Sequence, residues 1–140
     1  MQATLVWFSN ADLDLRVATP AGNEVNLSNQ LNSVSDDPQD NGFLDDDAAP
    51  GCGADPHHVE NIFFPADPAE PVLVGEYRAF FTTTFGVCNN MFPVEFVLSL
   101  KVSGQQTQVL TGTVPSVDSV LIFPLVATLD GPPGGVIVEP

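Results

Sequence analysis

Glu95-Phe96-Val97-Leu98-Ser99-Leu100-Lys101-Val102 decides the fold class of this chain. A β-strand sends successive side chains to opposite faces. Phe96, Leu98, Leu100 and Val102 therefore share a core face, and Glu95, Ser99 and Lys101 the other, with Val97 an apolar exception among them. Leu13-Asp14-Leu15-Arg16-Val17 repeats the pattern, with Leu13, Leu15 and Val17 turned inward and Asp12, Asp14 and Arg16 turned out. Outward from these two stretches, residues 4–9, 24–27, 59–64, 76–85, 107–114 and 119–129 are of strand length and rich in Val, Phe, Leu and Thr. Thirteen prolines and eleven glycines interrupt any helical spacing of apolar residues. Turn signals such as Pro20-Ala21-Gly22-Asn23 and Ser103-Gly104 separate the strands. The expectation is an all-β, antiparallel β-sandwich, jelly-roll or immunoglobulin-like, of about eight strands with one long acidic loop. A closed barrel is the alternative. Residues 1–130 read as a single domain and 131–140 as an extended tail.

Eighteen Asp and Glu against three Lys and Arg give a formal charge of −15. Phosphate binding needs a cationic face, so nucleic acid is not an expected partner, nor is an anionic membrane surface. No apolar run approaches the roughly 20 residues of a membrane helix, and residues 1–10 lack the basic start of a signal peptide. No membrane span is expected.

Seven of the eighteen acidic residues are concentrated in one stretch. Residues 28–58 carry Asp36, Asp37, Asp40, Asp45, Asp46, Asp47 and Asp55 and no Lys or Arg. Such a segment repels itself unless a cation holds it; a solvated acidic loop is the plainer reading. Calcium takes six to eight oxygen ligands and commonly organises loops that have no core of their own. Asp12 and Asp14 leave one strand on the same side, about 7 Å apart. Asp45 and Asp47 share that spacing, with Gly51 and Gly53 beyond them, and Glu60 and Asn61 add a carboxylate and an amide at the start of a strand. These six residues are the expected calcium ligands. Neither acidic cluster has the twelve-residue loop of an EF-hand.

Cys52 and Cys88 are the only cysteines. A bridge between them would stabilise the fold by roughly 3–4 kcal/mol in the chain-entropy model and would belong to an oxidising compartment. Two free thiols in a reducing one are the alternative. Paired carboxylates are the tools of glycoside hydrolysis, but the ten Phe read mostly as core, and His57-His58 has no nucleophile context around it. The chain does not read as an enzyme.

Leu5-Val6-Trp7, Ala11-Asp12-Leu13-Asp14-Leu15-Arg16-Val17, Pro20-Ala21-Gly22, Gly42-Phe43-Leu44-Asp45-Asp46-Asp47, Gly51-Cys52-Gly53, Glu60-Asn61-Ile62 and Gly75-Glu76-Tyr77 follow one another along the chain. That order of short motifs resembles the YfaP-like family of uncharacterised exported bacterial domains, over roughly residues 5–112. The resemblance implies a β-sandwich outside the cytoplasm, whether extracellular, on the cell surface or periplasmic, with a calcium site near the Asp-Leu-Asp-Leu strand. Arg16 stands where members of that family often carry His, and residues 54–59 replace a short Gly-Pro step. The family offers no established activity to carry over.

Two functions from different classes follow. One is a calcium-stabilised binding or adhesion module whose ligand is a glycan or another protein. The other is a structural subunit of an extracellular filament, self-assembling through its terminal strands. Val136-Ile137-Val138 lies behind Gly131-Pro132-Pro133-Gly134-Gly135, and three β-branched side chains need an apolar cover that a sheet edge can give.

Overall fold

A computed structural model describes residues 1–26, 42–45, 48, 52, 58–64, 74–83, 91–116 and 125–129. Among them are nine strands and no helix: β1 (Gln2–Trp7), β2 (Leu13–Ala18), β3 (Glu24–Val25), β4 (Phe43–Leu44), β5 (Val59–Phe63), β6 (Gly75–Thr83), β7 (Val94–Lys101), β8 (Gln108–Val114) and β9 (Leu125–Leu129). They form two antiparallel sheets, ordered β4-β5-β1-β7-β8 and β3-β2-β6-β9. The architecture is a β-sandwich and not a closed barrel.

The alternation expected of β2 and β7 holds. Leu13, Leu15 and Val17 face Phe96, Leu98 and Leu100 across a core that also takes Leu5, Trp7, Ile62, Tyr77 and Phe81. Two edge-to-face aromatic pairs join the layers, Phe81 with Phe96 at 4.6 Å and Phe64 with Tyr77 at 5.2 Å between centroids. Each contributes about 0.5–1.5 kcal/mol beyond its buried area.

Two expectations need correction. Residues 43–44 were expected to lie in a loop and instead form β4, which pairs with β5 through Phe43–Phe63 and Leu44–Ile62. Asp12 was expected on an outward face, yet it precedes the first residue of β2 and is buried. Gly42, which leads into β4, shows why the chain passes there: a Cβ on it would stand 2.6 Å from both Phe64 Cζ and Val25 Cγ2. The chain fits between those two side chains only because residue 42 has none.

Among the described residues four strands lie at sheet edges, and they are finished differently. Strands β3 and β4 have two residues each. The outer carbonyls of β9 accept side-chain amides from the facing sheet, Gln105 Nε2 at Thr128 O (2.8 Å) and Gln108 Nε2 at Val126 O (2.7 Å). Strand β8 has seven residues, none of them charged, and no described residue pairs with its outer side.

Candidate functional site

Asp45 follows β4 directly and is locked to Asn61 of β5. Its backbone amide donates to Asn61 O (3.0 Å), Oδ1 accepts from the Asn61 amide (3.0 Å), and Oδ2 accepts from Asn61 Nδ2 (2.9 Å). Asn61 Oδ1 in turn accepts from Thr4 Oγ1 (2.7 Å) and Gln2 Nε2 (3.2 Å). These groups make a polar row across the outer face of the first sheet, from β4 over β5 to β1.

Glu60 precedes Asn61 on β5 and so points the other way, between the sheets. It is 1% exposed. Its Oε2 accepts the backbone N–H of Leu15 at 2.7 Å, and its Oε1 that of Ala48 at 3.3 Å. Leu15 lies on β2 beyond the reach of the two-residue β3, which pairs only with Val17 and Ala18. Its amide would otherwise be a buried donor with no ladder partner, and a carboxylate is the strongest acceptor available to it. Glu60 thus joins the two sheets to Ala48 of the acidic segment.

Asp12 is buried and Asp14 is half-buried on the outer face of the second sheet, the side of the molecule opposite Asp45. Asp47 lies outside the described residues. Of the six expected ligands, Asp45 and Asn61 are brought together, while Glu60, Asp12 and Asp14 stand elsewhere. Among the described residues no three His, Cys, Asp or Glu side chains gather as a metal cluster. The residue types suit calcium, but side-chain oxygens of Glu60 and Asn61 leave β5 on opposite faces, so one ion does not take both.

A contact that the sequence reading did not anticipate joins the end of β1 to the residue before β5. The indole of Trp7, 1% exposed, stacks on His58 with centroids 5.9 Å apart. Trp7 Nε1 donates to Ala11 O (2.7 Å), its backbone amide donates to His58 O (3.1 Å), and His58 Nε2 donates to Asn10 Oδ1 (3.1 Å). The signal was present in the sequence, since an indole N–H inside a core needs an acceptor and Ala11 lies four residues on. His57 lies outside the described residues.

Cys52 packs against the core, and no cysteine among the described residues is free; Cys88 lies outside them. At the far side of the first sheet, a depression of about 340 Å³ is lined by Phe8, Glu95, Val97, Thr111, Gly112 and Thr113. No family model, curated protein or solved structure matches the chain.

Proposed function

We propose that this chain is a non-enzymatic binding or adhesion module working outside the cytoplasm, with calcium holding its acidic segment. The observation that supports this reading is the double anchorage of that segment on β5, at Asp45 to Asn61 on the outer face and at Ala48 to Glu60 between the sheets. A self-repelling stretch is thereby held against the fold, which favours a counter-ion beside it. Calcium would supply the positive charge the segment lacks. Asp45 and Asp47 are the first pair of ligands in this reading, and Asp12 and Asp14 the second. Glu60 positions the segment, because it is buried between the sheets with both oxygens on backbone amides, whereas the carboxylate of Asp45 is exposed and keeps lone pairs beyond those that Asn61 uses. The proposed Cys52–Cys88 bridge would tie the segment down once more and fits an oxidising compartment. The module's ligand is a glycan or a protein, and a likeness to the YfaP-like exported domains accords with display at a cell surface.

Thermal melting of the full chain tests the calcium reading. A ligand present at a hundred times its Kd stabilises the folded state by about 2.7 kcal/mol. Calcium should therefore raise Tm well above the value in sodium chloride of equal ionic strength, and Asp45→Asn or Asp14→Asn should shrink that gap more than Asp37→Asn. Identical melting in calcium and in excess chelator removes the ion from the account.

A further inference from the structure

We infer that the open edge of β8 receives Val136-Ile137-Val138 of a second copy of this chain as an added antiparallel strand. The four edges of the sandwich carry the argument. Strands β3 and β4 are too short to template a partner, and the amides of Gln105 and Gln108 occupy the outer carbonyls of β9. Natural edges are usually blunted by brevity, by charge, by proline or by cover. Gln108-Val109-Leu110-Thr111-Gly112-Thr113-Val114 has seven residues, no charge and no proline, no described residue pairs with its outer side, and Val109 is 60% exposed.

Strand addition draws affinity from main-chain hydrogen bonds and specificity from pockets for alternate side chains. Such a pocket adjoins this edge, the depression between Phe8, Val97 and Thr111, Gly112 and Thr113. In an extended Val136-Ile137-Val138, the two valines project together and Ile137 to the other side. Charge selects this donor. Two copies each carrying −15 repel one another, but residues 131–138 and the whole of β8 are uncharged, so the segment brings no charge of its own to the edge, and Glu95 is the one charged residue lining the depression beside it.

The source is a neighbouring copy because of direction. Every strand pair among the described residues is antiparallel. The bonds from Gln105 to Thr128 and from Gln108 to Val126 show that β9 runs toward the β7–β8 hairpin, so the chain leaves Leu129 at the end of β8 where Gln108 begins. An antiparallel donor lying over Thr111 to Thr113 must enter from the other end, about 17 Å further along the strand. The seven steps from Leu129 to Val136 span at most about 25 Å when fully extended. The chain's own segment would have to cover that length, cross the roughly 10 Å from the second sheet to the first and reverse direction within Gly131-Pro132-Pro133-Gly134-Gly135, whereas a neighbour's segment enters freely. One donor and one acceptor per copy make a head-to-tail contact that propagates as an open chain.

Sedimentation of the full chain over a wide concentration range, in chelator so that calcium plays no part, tests this contact. Oligomers that grow with concentration are expected. Val109→Lys on the edge and Ile137→Lys on the donor should each raise the concentration needed for association by about tenfold or more. Mixing the two variants should restore pairs but not longer species, since each supplies what the other lacks. A monomer at every concentration overturns the inference, as do oligomers indifferent to both substitutions. A monomer in which Ile137→Lys speeds amide exchange along β8 also overturns it, by assigning the edge to the chain's own segment.

Discussion

Replacing Glu60 by glutamine keeps the shape of the side chain and removes its charge, and the amide end that results presents a donor to a backbone donor. Hydrogen bonds to charged groups contribute about 1.5–3 kcal/mol, so Glu60→Gln should lower the free energy of unfolding by about that amount in urea titration. Glu76→Gln, whose partner Arg78 shares its exposed position, should change it by less than about 1 kcal/mol. A Glu60→Gln protein as stable as the parent would mean that the Leu15 and Ala48 amides find other acceptors. Gly42→Ala is the second residue-scale case. The added methyl meets Phe64 and Val25 at 2.6 Å, and overpacking of this kind costs about 1–3 kcal/mol. Of the two, only Glu60 is partly legible in the sequence. Glu60 shares the register of Ile62 and Phe64, so a carboxylate on an apolar face already marks a buried acceptor. The clustering of acidic residues along the chain points instead to a metal ligand, because composition does not register that adjacent Glu60 and Asn61 leave a strand on opposite faces.

At the scale of elements, long strands were readable and short ones were not. Strands β2 and β7 declare themselves because five or more alternating residues fix both the period and the phase. Phe43-Leu44 has no period to show, and β4 exists only because β5 offers it a ladder partner. Asp12 was misassigned for a related reason: the alternation of β2 was extended one residue past the start of the strand. The glutamine caps on β9 could not be read at all, since they depend on how one sheet lies over the other. They predict a measurable effect. Gln105→Ala with Gln108→Ala should leave global stability nearly unchanged and speed amide exchange selectively in β9, which loses two side-chain clamps. Uniform acceleration across both sheets would instead show that the clamps hold the sandwich together.

For the whole molecule, charge is the dominant long-range term. With −15 on 140 residues, screening by monovalent salt should raise Tm progressively, and calcium should act beyond that screening. The bridge proposed between Cys52 and Cys88 has its own check: titration of the denatured, unreduced protein should find no reactive thiol, and reduction should lower Tm. Two thiols would move the domain to a reducing compartment. The Trp7–His58 stack has an optical consequence. Trp7 is the only tryptophan, its ring is sealed from water, and its neighbour His58 stands at the border of the acidic segment. All indole emission therefore comes from one place, short in wavelength while the end of the sandwich is closed, and altered in intensity as soon as the imidazole moves away. A single fluorescence trace can then separate detachment of that segment, which changes brightness alone, from unfolding of the sheets, which also shifts the colour.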